Sequence, residues 1–538
     1  MTRHLSVRFL CLLVLLSLCS LGCQPGKRAA APAGAAPSAA SASAGQAPAQ
    51  PAAQPAAQSA SPSRITIGVT ETIESQDPYA DSVALLYGIW CEVLGCLVTY
   101  DFDKNDYAPA LAESWEVENP TTWVFHLRQG VTWNDGSAFT SADVLHSFER
   151  IKNDPASRQR RIFSVIKDVD APDDYTVRVM TKVPTASLLD YFADRLIITN
   201  KAQYDQYGDA VWDQPPLGTG PYLFKELVPD QRLVIVKNPH WWGGPVNGPD
   251  EVVFRVMREP EVRVTALLNG ELQMAEFIPP HMADRISSQP NTKIASYDSL
   301  EIMFLAMQPK VKPFDNKLVR QAVAYAIDRD AIIQGILQGQ ARKLDGPVGP
   351  GQYGYTPDLQ PKYTYDPEKA KQLLAEAGYP NGVDVELSTP VGRYIQDKQI
   401  SEAIAQMLTA VGIRTTLLTP EWPTLWSNVQ DGKVPFYYMG RGSVVDPGPP
   451  LSQYFETGVS PRVGYSNPQV DALFAKERGD FDPAQRKRDL DQLMSLLTEE
   501  APAVFLWRHK MLMGLAKNIE FTPRPDDRIY PHEIRVKP

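Results

Sequence analysis

A chain of 538 residues has room for about three folding units of ordinary size, and its 53 Lys and Arg against 63 Asp and Glu leave a net charge of −10. That acidic, evenly mixed balance argues against nucleic acid and anionic membrane surfaces as partners. Five cysteines, three of them within the first 23 residues, exclude a disulfide scaffold and a zinc ribbon.

Taken in chain order, Arg3, His4 and Arg8 form a basic start, and Phe9 to Leu21 is an apolar run of 13 residues, shorter than the ~20 that a spanning helix needs. This reads as an export signal over residues 1–23. It ends Ser20-Leu21-Gly22-Cys23. A small residue before a cysteine resembles the bacterial lipoprotein signal, which implies lipidation of Cys23, although Ser20 stands where such signals carry Leu. The other reading is ordinary cleavage in the Ala-rich stretch beyond. Residues 24–63 hold 17 Ala and 7 Pro and no aromatic or large aliphatic residue, so they read as a disordered tether, roughly 35 Å long as a flexible coil.

The body begins near Arg64. Arg64 to Thr70 alternates as a half-buried strand does. Residues 96–214 have short strands (Trp123 to Leu127, Tyr175 to Val183) and a helix near Ala142 to Ile151, and read as an inserted α+β unit. Pro229-Asp230 predicts a hairpin turn. Glu251 to Met257, Glu259 to Asn269 and Gln273 to Ile278 predict a βαβ unit, its helix stopped by Gly270. A second is predicted by Val383 to Ser388, a helix with Ile400, Ile404, Met407, Leu408 and Val411 on one face, and Ile413 to Leu418. The distance between the two units predicts two separate α/β lobes instead of one long sheet. Asp366-Pro367 and Asp482-Pro483 each place an acid cap and a proline at a helix start, and Asp328 or Asp330 caps another.

No enzyme signature is present. The seven histidines are dispersed, without the i, i+4 pairing of a metal-binding helix, so neither metal nor cofactor is expected. Gly218-Thr219-Gly220 lacks the rest of a phosphate loop, and Ser443 lacks the Gly-x-Ser-x-Gly frame of a nucleophile elbow. Cys91 and Cys96 read either as a disulfide formed in an oxidising compartment or as two buried thiols.

Five blocks in order carry a family resemblance: Gln76-Asp77-Pro78; Trp115 to Arg150; Leu217 to Tyr222 with Lys237 to Trp242; Val319 to Arg329; and Tyr365 to Gly382. The chain resembles the bacterial extracellular solute-binding proteins of family 5, which serve peptide and nickel ABC importers. The resemblance implies an α/β fold: a two-lobed, type II periplasmic-binding-protein clamshell with an extra inserted α+β domain. Mapped here, lobe I is 64–95, 215–305 and 505–538, the insert 96–214 and lobe II 306–504. It implies an exported, lipid-anchored, monomeric binding component in the periplasm or at the cell surface. Such a component captures a peptide or peptide-like solute, performs no chemistry, and hands the solute to a permease with cytoplasmic ATPases. A sensor of the same fold and, less favoured, a secreted hydrolase are the alternatives.

Peptide-binding members carry a Trp, then a Gly-Trp-x-x-Asp-Tyr run and a Pro, in which the Asp takes the peptide's ammonium. Trp422 and Pro447 match the outer positions, while Ser443 falls where the Asp should be, which makes free-amine peptides the less expected ligands. Its neighbours Tyr438, Met439, Gly440, Arg441 and Gly442 complete the candidate strand. Asp446 is a substitute acceptor or an Asp-Pro turn residue. Arg441 reads as a fork donor to an acidic ligand or as a structural ion pair, and the tyrosines leading into it as core or as stacking surfaces for a sugar-like ligand. On the opposing lobe the resemblance implicates Tyr79 and Ser82.

Overall fold

The computed structural model describes residues 63–80, 83–442 and 445–537. The signal, Cys23, the tether up to residue 62, Ser82 and Ser443 lie outside the described residues.

The centre of the fold is an 11-stranded sheet. From one edge its strands are Ile413–Leu418, Val383–Ser388, Phe436–Arg441, Thr292–Met307, Ala503–Ala516, Met274–Ala275, Arg64–Val69, Glu251–Val256, Arg232–Lys237 and Tyr222–Val228, with Ala341–Lys343 paired onto Ala503–Ala516. The expectation of two sheets is thereby corrected. Two long antiparallel strands, of 16 and 14 residues, run through both halves and join them by one ladder. The ladder breaks register between Asp298 and Ile302, and there the sheet passes from one half to the other.

Each half nevertheless buries its own core on each face. One half packs Ile67, Trp90, Phe254 and Met274 on one side and Val264, Leu272 and Ile286 on the other. The other half packs Leu305, Val323, Ile404 and Tyr438 on one side and Phe304, Tyr437, Leu451 and Leu493 on the other. Alternation along each strand sends successive side chains to opposite faces.

Both predicted βαβ units are present. Glu251–Val256 and Met274–Ala275 lie parallel to Arg64–Val69 around the helix Pro260–Leu268. Val383–Ser388 pairs parallel with Ile413–Leu418 around Asp397–Ala410. The strand expected over Gln273 to Ile278 is shorter, because Phe277 turns to φ +48° just beyond it. Capping follows the local chemistry: the side chains of Asp328, Asp366 and Asp482 accept the N–H groups of Ala331, Lys369 and Gln485.

The 96–214 stretch forms a four-stranded antiparallel sheet, in the order Ala112–Asn119, Thr122–Leu127, Thr176–Thr181 and Ile166–Asp173, with the helix Ser141–Asn153. Its Phe125 and Phe192 belong to the same apolar cluster as Ile67 and Trp90, so it shares the core of the first half. The sulfurs of Cys91 and Cys96 are bonded, with Cα atoms 5.2 Å apart.

Candidate functional site

A cavity of about 510 Å³ opens where the two halves meet. Thr70 and Glu71 enter it from the carboxyl end of Arg64–Val69, Phe277 from the end of Met274–Ala275, and Arg393 and Tyr394 from the loop after Val383–Ser388. All three strands belong to parallel pairs, and the crevice beyond the carboxyl ends of such strands is where α/β folds bind ligands. Glu301 and His509 complete the floor from the two long strands. A second concavity, of about 580 Å³, lies on the outer sheet face. Its charges are satisfied among themselves, as in Arg64–Glu251 at 3.0 Å and Arg232–Glu226 at 2.6 Å.

The walls of the first cavity are held in place from behind. Phe277 and Gln396 have φ of +48° and +56°, a region where side-chain-bearing residues are uncommon and which clusters at ligand clamps. Arg263, 1% exposed, donates to the carbonyls of Glu276 (3.0 Å), Phe277 (2.9 Å), Met257 (2.6 Å) and Arg258 (2.9 Å). On the facing wall, the Asp397 carboxylate accepts the backbone N–H groups of Gly392 (3.0 Å), Arg393 (2.9 Å) and Tyr394 (3.0 Å). One buried acid at a helix start thus fixes the loop that presents Arg393. Asp397→Ala is expected to lower stability by about 1–3 kcal/mol, the usual cost of stranding buried donors, and to weaken ligand binding at least about tenfold by freeing the loop. Thermal melts run beside titrations check this, and unchanged affinity would separate the loop from the site.

Charges of both signs face one space. The Arg393 guanidinium lies 5.3 Å over the rings of both Tyr394 and Trp422, and Trp422 stacks on Trp426 at 5.6 Å. No acid lies within 4.0 Å of Arg393 among the described residues. Burial works against its charge, but Tyr394, Glu301 and Glu71 outweigh that and hold its pKa above the ordinary value. Burial pushes the Glu301 carboxyl up to about 7, with Arg393 opposing. His509, 2% exposed and with both ring nitrogens unpartnered among the described residues, is driven down to about 4 by burial and stands neutral at pH 7.

None of the residues singled out from sequence is among those that line this cavity, but Trp422 and Gly440 stand behind its wall, Trp422 under Arg393 and Gly440 against Glu301 and Tyr394. A Cβ on Gly440 would stand 2.6 Å from Glu301 Oε1 and 2.8 Å from Tyr394 Cε1, so glycine makes the room in which these two side chains meet. Tyr438 is buried beneath, its ring 6.2 Å from that of Tyr394. Met439 and Arg441 point to the opposite face, where Met439 joins the cluster of Phe304 and Tyr437 and Arg441 pairs in register with Ile302. Arg441 is 4% exposed and donates from Nη2 to the Pro347 carbonyl at 2.7 Å, and burial pulls its pKa down to about 10. It serves the loop around Pro347 and not the cavity. Gly442 is exposed. Asp446 is held by Arg486 at 2.5 and 3.0 Å, so it is a structural acid and not a free acceptor. Tyr79 is fully buried and donates its hydroxyl to the Ile197 carbonyl, which ties the first half to the inserted stretch.

Sequence reasoning missed Arg393, Tyr394, Glu301 and His509. The first two were findable, since the βαβ reading already marked the loop at the carboxyl end of a parallel strand. Glu301 and His509 carry no such signal, because which face of a long strand meets a cavity depends on its distant partners.

The description "Bacterial extracellular solute-binding proteins, family 5 Middle" matches residues 106–461. The chain is 30% identical to heme-binding protein A of Haemophilus influenzae over 446 residues, covering 76% of this chain and 80% of that one. It is 28% identical to the dipeptide-binding protein of Escherichia coli over 460 residues, covering 79% and 85%. Among solved structures, the periplasmic binding protein DppA of Helicobacter pylori in complex with the peptide STSA superposes with a TM-score of 0.76 at 25% identity, covering 88% of this chain and 98% of that one.

Proposed function

This chain belongs to the bacterial extracellular solute-binding proteins of family 5, and from that premise we propose that it captures a peptide or peptide-like solute in the cavity between its halves for an ABC permease driven by cytoplasmic ATPases. It is an extracytoplasmic solute-binding protein of the type II fold, a binding component and not an enzyme. The observation that carries the peptide reading is Arg393: a guanidinium without an acid partner, braced on two aromatic rings and aimed into a cavity of about 510 Å³. Such a fork suits a terminal carboxylate, and the surrounding rings suit an apolar side chain.

Both halves line the cavity, so a ligand that touches both favours the closed arrangement over an open one. Lobe I is taken as 64–95, 215–305 and 505–538, the insert as 96–214 and lobe II as 306–504, with the crossings drawn to the ladder break, since Phe304, Leu305, Leu506 and Trp507 pack in the second half. The chain crosses between lobes within Thr292–Met307 and Ala503–Ala516. Lipidation at Cys23 and the 24–63 tether would keep the body, a monomer, near its permease.

The test is titration calorimetry of the full chain with a pool of unmodified di- and tripeptides, beside native mass spectrometry of the protein as purified. One peptide-sized ligand per chain is the expected result. Binding of none of these, or turnover of a bound peptide, would contradict the reading.

A further inference from the structure

The ladder between the two long strands runs in register from Thr292↔Ala516 to Asp298↔Lys510 and resumes at Ile302↔Arg508. Residues 299–301 therefore sit in the break where the sheet crosses between halves. The break is held tightly: Leu300 N–H donates to the Pro525 carbonyl (2.9 Å), Ser299 Oγ to Asp527 Oδ2 (2.8 Å), and Glu301 N–H to Ser299 Oγ (3.1 Å). These bonds leave the Glu301 side chain on the cavity floor against Gly440 and Tyr394.

Nothing described satisfies that carboxylate. It has no hydrogen-bond donor among the described residues and no cation within 4.0 Å, and it is partly exposed, so its oxygens are open to a ligand in the cavity. The charged and titratable groups around it are Arg393, Asp527 and Glu71, with Tyr394 beside it, and Arg258, Arg263, His281 and His509 line the same cavity. Two acids, Glu71 and Glu301, line the cavity with three guanidiniums; Arg258 is engaged by Asp230 and Arg263 by backbone carbonyls, while Arg393 has no acid within 4.0 Å among the described residues and attracts Glu301. Meanwhile Met439 and Gly440 on the adjoining strand bring no charge, and Arg441 faces away.

We propose that Glu301, from its place in the hinge of the long strand pair, accepts the ammonium group of the ligand while Arg393 takes its carboxylate. This rests on the peptide reading and narrows it to ligands with a free amino group. A carboxylate in the hinge ties amine recognition to the segment through which the halves must move. It also makes capture sensitive to pH. A bound ammonium favours the ionised carboxylate, so affinity falls as pH drops through about 7, where burial has placed this group in the empty cavity.

The experiment takes the tightest dipeptide of the pool in three forms, free, N-acetylated and C-amidated, and titrates each into the full chain, E301Q and R393M near pH 8. In the wild type the N-acetylated form is expected to bind at least about 30-fold more weakly than the free form. E301Q is expected to weaken the free form to the level of the acetylated one while keeping the preference for free carboxylate over amide. Wild-type binding of the acetylated form as tightly as the free one would overturn the inference and leave the peptide reading standing. So would an E301Q that weakens all three forms alike or none. Failure of every peptide to bind the wild type would remove the peptide reading itself. Melting provides the control for folding. An acid whose folded pKa is raised costs stability as pH rises from its ordinary value through the raised one, so E301Q is expected to melt above the wild type near pH 8 and level with it near pH 4. A lower melting temperature near pH 8 would show that the carboxylate already has a partner and overturn the inference.

Discussion

Arg393→Met is expected to weaken binding of a dipeptide with a free carboxylate by about 30- to 4000-fold, the range for removing one partner of a desolvated charge pair. The side chain has no acid within 4.0 Å among the described residues, so its loss strands no partner in the free protein. What the free protein forfeits is contact with Tyr394 and Trp422, worth about 0.5–1 kcal/mol at an exposed site, and its melting temperature is expected to stay nearly constant. Arg393→Lys keeps the charge but loses the planar fork and its stacking, and is expected to fall between the two. Titration calorimetry reads both, and wild-type affinity in the methionine variant would remove Arg393 from the site.

Arg486→Met is expected to be the most destabilising of these substitutions, by about 3–5 kcal/mol, the usual cost of breaking a buried ion pair from one side. Arg486 donates from Nη1 and Nη2 to Asp446 (2.5 and 3.0 Å) and from Nη2 and Nε to Glu477 Oε2 (2.8 and 3.1 Å), with all three side chains no more than 7% exposed. Asp446 N–H in turn donates to Asp190 at 3.1 Å, so the cluster ties the second half of the sheet to the 96–214 stretch. Without the guanidinium two carboxylates share a dry space, and burial already holds Glu477 up at about 7. Protonation relieves the pair, so the deficit is expected to shrink as pH falls below about 7. Denaturant unfolding at two pH values checks this, and a deficit independent of pH would show that the carboxylates find other partners.

The helix starts were legible because their chemistry is local. An Asp before a Pro at 366 and 482 presents its carboxylate to a first-turn N–H whatever surrounds it. The single sheet was not legible, because the ladder that unites the halves pairs 292–307 with 503–516, about two hundred residues away, and nothing in either segment encodes that partner. For the site, the period of two marked Phe436 to Arg441 as a strand but not which of its faces meets the cavity. A step of one residue separates Gly440, which borders Glu301, from Arg441, which braces Pro347. Asp446 reads in sequence as a substitute acceptor or a turn residue, and only the fold brings Arg486 to it from 40 residues away.

Hydrogen-exchange mass spectrometry of the full chain, with and without saturating dipeptide, tests most directly whether the solute is held between the halves. Slower exchange is expected together in 70–71, 299–303, 392–396 and 509–511, segments from both halves and from the strands that join them, with the outer face around Arg232 and Glu251 unchanged. Protection confined to one half, or centred on that outer face, would contradict capture in the cavity.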